Sequence, residues 1–296
     1  MGGGTFGGIE TGGTKTVCAV GSGPDDVRAG ACFPTTTADE TLARAAAFFR
    51  EHRPAAVGVA SFGPLDLDPA SPTFGSITAT PKPGWSGADV VGALRRALVV
   101  PVAIDTDVNG AALAEWRWGA GTQCDPLVYV TVGTGIGGGA VVGGRPLHGL
   151  AHPEMGHMRV PRAPGDDFAG WCPFHADCLE GLASGPAIQA RRGLPPEALA
   201  VDDPVWTLVA RYLALGLANV VTVLSPQRIV VGGGVLRHPT LLGRVRAEVR
   251  AILAGYVRVA ALAGAIEEFI VAPALGERAG VLGALALAAQ GGPERD

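Results

Sequence analysis

FGGIETGGTKTVCAV (Phe6–Val20) and LVYVTVGTGIGGGAVV (Leu127–Val142) are the two stretches whose reading decides the fold. Each pairs two apolar, β-branched runs around a turn of Gly and Thr, which is the pattern of a β-hairpin. The turns are Thr11-Gly12-Gly13-Thr14 and Gly133-Thr134-Gly135. One supersecondary unit written twice points to a duplicated domain with a glycine-rich turn in each half.

Neither turn matches the commoner nucleotide loops. A Walker A loop ends in Gly-Lys-Ser/Thr and opens a helix, whereas Gly12-Gly13-Thr14-Lys15 runs into a strand. Gly133 to Gly138 satisfies G-x-G-x-x-G, but the dinucleotide fold needs a helix there, and Gly139–Val142 is strand-like. Backbone N–H groups and Thr hydroxyls in such turns can still cradle phosphate oxygens. Each is therefore a phosphate-gripping hairpin or a plain one.

The elements between and after the hairpins alternate. Helices are expected near Thr41–His52, over Gly87–Leu98 and from Val108 to Trp118, with strands at Ala56–Ser61 and Val102–Ile104. An irregular Pro/Thr/Ser-rich stretch fills Gly63–Gly84, and Gly119–Asp125 reads as a hinge. A long helix Val205–Leu224, a strand Arg228–Val231 broken by Gly232-Gly233-Gly234, a helix Thr240–Ala254, a strand Glu268–Ala272 and a helix Arg278–Ala289 complete the pattern. The order implies an α/β sandwich with helices on mixed sheets.

Composition narrows the class. The chain has 296 residues, 48% apolar and 17% charged, with a net charge of -4, as expected for a well-packed globular protein. No basic stripe exists to collect nucleic-acid phosphates. No run is read as reaching the roughly 18 apolar residues of a membrane span. Met1 to Gly8 lacks the charged start and apolar stretch of a signal peptide, so a cytoplasmic setting is expected. Of five cysteines, Cys18, Cys32 and Cys124 stand among apolar residues and are expected to be reduced core thiols. Of 23 basic residues only Lys15 and Lys82 are lysines. Lys82 and Trp85 lie in a Pro-restricted loop, read as a cleft lid, a wall of the cleft or a plain structural loop.

Cys172, His175 and Cys178 have C-x2-H-x2-C spacing, and His157 supplies a fourth ligand type upstream. Thiolates and imidazoles in a set of four are the donors of a structural zinc site. Glu154 and Glu180 flank the cluster. Asp105-Thr106-Asp107-Val108-Asn109 stands where a strand meets a helix. Asp107 there is either an N-cap or a base that accepts a hydroxyl proton during phosphoryl transfer. Asp105 reads as a supporting or metal-facing carboxylate.

Taken together, G-I-E-T-G-G-T-K, V-T-V-G-T-G-I-G-G-G, D-T-D-V-N-G-A-A-L-A-E and E-M-G-H with its Cys-rich loop resemble the ROK family (repressors, open reading frames, kinases) of the actin-like ATPase superfamily. A-S-F-G-P-L-D-L (Ala60–Leu67), T-P-K-P-G-W (Thr80–Trp85) and C-P-F-H-A-D-C-L-E-G resemble its bacterial fructokinase branch. The resemblance implies a duplicated actin-like, ribonuclease-H-like ATPase fold, with two α/β domains around a cleft. Residues 1–118 would form one domain, with a C-terminal helix at about 278–290 packing back on it, and residues 119–277 the other. It implies an ATP-dependent hexose kinase with Mg2+ and a structural Zn2+, acting as a homodimer without nucleic-acid or membrane partners. Fructose would be the sugar; glucose, mannose and N-acetylmannosamine kinases of the family are the alternatives.

By the same resemblance Asp107 is the catalytic base. Gly63, Pro64, Lys82, Thr106, Glu154, His157 and Glu180 would face the sugar. Gly12, Gly13, Thr14, Lys15, Thr134, Gly135, Gly185, Gly233 and Gly234 would contact ATP, and His157, Cys172, His175 and Cys178 would hold zinc. Two positions depart from the family pattern: Glu10 stands for its usual Asp, and Thr106 for its usual Asn. A sugar-sensing regulator would need a DNA-binding motif before the first turn, and a zinc hydrolase an open metal site. A silent sugar-binding protein is the third rival.

Overall fold

The computed structural model describes residues 4–291; the first three residues of the segment inspected for a signal peptide lie outside it. Strands β1 (Phe6–Thr11), β2 (Lys15–Gly23) and β3 (Asp26–Pro34) lead into helix α1 (Ala38–His52). Then come β4 (Val57–Ser61), α2 (Val90–Leu98), β5 (Val102–Thr106) and α3 (Asp107–Trp118). The second hairpin is β6 (Leu127–Val132) and β7 (Ile136–Val142), followed by the short β8 (Arg145–Pro146). Helices α4 (Leu179–Ala183), α5 (Gly185–Arg192) and α6 (Val205–Leu224) precede β9 (Arg228–Gly232) and α7 (Leu241–Leu253). The remaining elements are α8 (Ala260–Ala263), α9 (Ile266–Phe269), β10 (Ile270–Val271) and α10 (Ala279–Gln290).

The strand orders are β3-β2-β1-β4-β5 and β8-β7-β6-β9-β10. In the first, β1 and β2 are antiparallel, with Thr11 opposite Thr16, while β1–β4 and β4–β5 are parallel. In the second, β7–β8 is antiparallel and β6–β9 and β9–β10 are parallel. The same succession occurs twice, which is the duplicated α/β fold that the repeated hairpins imply.

The chain packs as two units. One runs through Thr122 and takes in Gly139–Pro153 and the chain from Ala274 onward; the other comprises Gln123–Gly138 and Glu154–Pro273. Gly139–Pro153 thus joins the first unit, whereas the sequence reading placed it in the second domain. The reason is contact: the backbone of Gly139 lies on Val108 and Asn109 in the first turn of α3, and Gly144 lies beside Trp116.

In the first unit, Ile9, Phe49, Val57, Val59, Trp85, Leu94 and Ile104 form a buried core. Around α10, Val281, Leu282 and Leu285 pack with Ala19 and Ala114. This helix is buried from Ala279 through Ala288. It approaches its neighbours backbone to backbone, because a Cβ on Gly58 would sit 1.9 Å from the Ala284 carbonyl oxygen and one on Gly283 2.0 Å from that of Gly110. In the second unit, α6 lies along α7, with Leu213, Leu217, Val245 and Val249 buried. Contrary to the sequence expectation, α6 is long and apolar enough by composition to cross a membrane. Its burial in this unit accounts for that composition.

Several boundaries differ from the sequence reading. Helix α1 starts at Ala38, because Thr37 accepts from the Glu40 N–H in a Thr-x-x-Glu cap. Helix α2 starts at Val90, where Asp89 accepts from the Gly92 N–H at 2.7 Å. Only Ile270–Val271 of the expected last strand is extended; Ile266–Phe269 is helical. Strand β3 was not anticipated: its inward positions Ala29, Ala31 and Phe33 alternate with exposed residues, but two of the three are small alanines that give a weak apolar signal. Cys32 on β3 is exposed rather than a core thiol, while Cys18 and Cys124 are buried. Burial pushes the Cys18 thiol up to about 12.

Gly58→Ala is expected to destabilise the protein by about 1–3 kcal/mol through overpacking, read as a lower midpoint in chemical denaturation. An unchanged midpoint would mean that α10 yields there without strain.

Candidate active site and metal centre

Register places the first set of site residues. Thr11, Ser61 and Thr106 are side by side at the carboxyl ends of β1, β4 and β5, and Thr11 Oγ1 donates to Ser61 Oγ at 2.7 Å. From this one edge emerge the Gly12–Lys15 turn, the Gly63–Pro64 segment and Asp107. Carboxyl ends of adjacent parallel strands are where open α/β sheets bind ligands. The first turn is closed by the Gly12 N–H donating to Lys15 O at 2.9 Å. Gly13, Thr14 and Lys15 are exposed. Glu10 lies behind them, accepting from the Val281 N–H at the start of α10. Burial raises the Glu10 carboxyl, and Lys15 and that N–H partly offset the rise.

Thr106, not Asp107, caps α3: its Oγ1 accepts from the Asn109 N–H at 3.1 Å. Asp107 is the first helical residue and accepts from the Val108 N–H at 2.9 Å. It is partly exposed within a run where Ile104–Thr106 and Val108–Glu115 are buried. Asp105 is 2% exposed and accepts from the Thr106 N–H, from Asn109 Nδ2 and from His148 Nε2 at 2.7, 2.8 and 2.9 Å. The hydrogen bond to Asp105 raises the His148 imidazole against the opposing effect of burial. Lys82 is not at the strand ends. Its Nζ donates to Thr35 O at 2.9 Å, and the Thr35 N–H donates to Thr14 O. Trp85 is fully buried, with its indole N–H on Thr36 O at 2.7 Å. This loop braces the first turn from outside.

In the second unit, Thr131 and Gly232 are register partners, so Gly133–Gly135 and Gly233–Gly234 leave the sheet together. The Gly185 N–H donates to Gly133 O at 2.8 Å, and the Gly133 N–H to Gly135 O at 2.8 Å. Glu180 Oε2 accepts from the Ile136 N–H at 2.9 Å. At the carbonyl of the same residue, a Cβ on Gly156 would lie 1.7 Å from Ile136 O. Glu180 and the Glu154–His157 turn therefore meet at Ile136, just after the second Gly/Thr turn.

Gly133, Thr134, Gly185 and Gly234 line a cavity of about 810 Å³. Gln189, Glu197, Trp206, Arg237 and His238 also line it, and the rings of Trp206 and His238 are 4.1 Å apart. Motif reading missed these side chains, because they come one at a time from α5, α6 and loops.

His157, Cys172, His175 and Cys178 form the metal-type cluster, with ligand atoms within 4.8 Å of one another. His157 Nδ1 is 3.7 Å from Cys172 Sγ and 3.5 Å from Cys178 Sγ, and His175 Nδ1 is 3.7 Å from Cys172 Sγ. Tetrahedral Zn–S and Zn–N bonds of about 2.3 and 2.0–2.1 Å require S···N separations of about 3.6 Å. The donor set and its spacing therefore fit zinc. A turn between Cys172 and Cys178 is held by paired backbone bonds of Cys172 and Ala176, while Asp177 accepts from Arg159 and Arg162. The chain before Cys172 is anchored at Asp166, which takes a bidentate Arg191 at 2.5 and 2.8 Å and the Tyr212 hydroxyl. The Arg191 guanidinium holds the Asp166 carboxyl down at about 2.

The ROK family model matches residues 6–291, and the chain belongs to this family. It is 47% identical over 292 residues to the fructokinase of Zymomonas mobilis, covering 96% of each chain. Among solved structures, the ROK hexokinase of Thermus thermophilus superposes with a TM-score of 0.80 at 30% identity, covering 97% of this chain and 98% of that one. A ROK family glucokinase from Streptomyces griseus, in complex with glucose and AMPPNP, gives 0.77 at 27% identity, covering 97% and 100%.

Cys178→Ser is expected to strip the centre, so metal per chain in the purified protein should fall severalfold by elemental analysis, with zinc as the element lost. Full metal content in this variant would remove Cys178 from the ligand set.

Proposed function

We propose that this protein is an ATP-dependent hexose kinase, and specifically a fructokinase that converts D-fructose and ATP to fructose 6-phosphate and ADP. The position of Asp107 carries this reading. The capping duty that would explain an acid at that point is performed by Thr106, and Asp107 is left partly exposed at a strand-end site. In the proposed reaction Asp107 accepts the proton of the sugar's primary hydroxyl as the γ-phosphoryl group moves to that oxygen. The family resemblance makes Gly63, Pro64, Thr106, Glu154, His157 and Glu180 the candidates for orienting the sugar.

Gly12–Lys15 and Thr134–Gly135 grip phosphates through backbone N–H groups and hydroxyls, with Lys15 as the compact cation. Gly185, Gly233 and Gly234 take the rest of the nucleotide in the 810 Å³ cavity. Mg2+ on the nucleotide supplies charge neutralisation at the transferred group. Zinc at His157, Cys172, His175 and Cys178 is structural, since four protein ligands leave no position for a reacting water. His157 would bind it through Nδ1, the nitrogen that faces the thiols. Its Nε2 on the far side of the ring could then meet a sugar hydroxyl. Lys82 supports the first turn rather than the sugar in this scheme. A cytosolic homodimer completes the proposal.

Fructose is favoured over glucose because the fructokinase relatives, at 40–47% identity, are nearer than the glucokinases at 26–27%. Coupled measurement of ADP release with fructose, mannose, glucose and N-acetylmannosamine should give the highest kcat/KM for fructose. A higher value for any other sugar would reassign the substrate. Asp107→Asn should lower kcat by about 10²–10⁴-fold with sugar affinity largely kept, and near-normal turnover in it would exclude Asp107 as the base.

A further inference from the structure

Asp105 and His148 have no role in the scheme above, yet they pair two residues before Asp107, the carboxylate buried and the imidazole 40% exposed. A carboxylate 2% exposed needs donors for its lone pairs. Oδ1 receives the Thr106 N–H and Asn109 Nδ2. These donors belong to residues on either side of Asp107, so one carboxylate staples the turn across it. Oδ2 receives His148 Nε2 at 2.9 Å, the one donor of the three that comes from outside this strand–helix segment.

The histidine is exposed, but the loop that carries it is anchored. The Leu147 N–H donates to Ala140 O on β7 at 2.8 Å. One residue earlier on that strand, a Cβ at Gly139 would lie 2.6 Å from Asn109 Oδ1, so β7 backbone closes the space into which Asn109 could swing. Four residues beyond His148, His152 Nε2 accepts from the Leu65 N–H at 3.2 Å, next to Gly63–Pro64. A single loop after β8 therefore reaches two segments at the strand ends, each through a histidine.

We propose that His148, acting through Asp105, is a positioning residue that fixes the Thr106–Asp107 turn for phosphoryl transfer to the sugar. The inference rests on the reading of Asp107 as base. Without the imidazole, Oδ2 loses its donor and the carboxylate turns toward water, releasing the Thr106 N–H and Asn109 Nδ2. Asp107 then samples more orientations, and misplacement of a reacting group by about 1 Å can lower a rate by about 10²-fold. The nucleotide contacts lie on other segments, so the loss falls on kcat while the KM for ATP stays.

The test compares His148→Ala, His148→Gln, His148→Asn and Asp107→Asn, with kcat and both KM values per folded chain, judged from near-ultraviolet circular dichroism and metal content. His148→Ala should lose about 10–100-fold in kcat with an unchanged KM for ATP. Gln places an amide N–H near the imidazole Nε2 position and should recover most of it; Asn is one methylene too short and should resemble Ala. If Ala does not fold, the Gln and Asn pair decides. Equal kcat for Gln and Asn, or a loss that appears in the KM for ATP, overturns the inference. An active Asp107→Asn would instead overturn the base assignment. An inactive Asp107→Asn beside an unimpaired His148→Ala would leave that assignment standing and remove His148.

Discussion

The seat of α10 is the constraint on which the first unit depends. This helix comes from the far end of the sequence, yet it lies against β1, β4 and α3 with hydrogen atoms in place of side chains at Gly58 and Gly283. Its first turn meets Glu10 directly: a Cβ on Gly280 would lie 2.3 Å from the Glu10 carboxyl carbon, and the Val281 N–H donates to that carboxylate. The positive end of a helix dipole favours an acid there. The position of the Gly12–Lys15 turn is thus set partly by residues some 270 positions later in the chain. Overpacking at these glycines would be felt at the turn as well as in the core.

In the second unit the corresponding organiser is polar. Ile136 is held through its N–H by Glu180 and faces Gly156 with its carbonyl, which ties the Gly/Thr turn to the segments on both sides of the metal-type cluster. Arg191 on α5 and Tyr212 on α6 converge on Asp166, and Arg191 also stacks 4.1 Å over the Phe168 ring. A buried ion pair of this kind is weak evidence of net stability. Its effect is to fix geometry, joining the chain before Cys172 to the helix whose first residue lines the cavity.

Much of this was legible in the residues. The two hairpins were read to the residue for β6 and β7 because Gly/Thr turns interrupt strongly apolar runs. The clustering of His157, Cys172, His175 and Cys178 was legible because thiols and imidazoles at short spacing have few other uses. Other parts carried no local signal. The start of α1 was hidden in a polar Thr-Ala-Asp-Glu cap, and β3 in an edge strand whose inward side is mostly small alanines. Asp107 was ambiguous as a string, since an acid at a helix start also reads as a cap; the structure gives the cap bond to Thr106 Oγ1. Trp206, Arg237 and His238 were unreadable as cavity residues, because single side chains from separate elements form no motif.

By itself the sequence determined the duplicated α/β architecture, the two glycine turns, the four metal-type ligands and the family, all of which depend on residues close together in the chain. Tertiary structure decided what depends on distant residues: the alignment of Thr11, Ser61 and Thr106 at one sheet edge, the place of Gly139–Pro153 in the first unit, and the bond from His148 to Asp105. The physical reason is that strand order and register bring segments together over tens to hundreds of residues, and a local pattern specifies a strand or helix but not its neighbours.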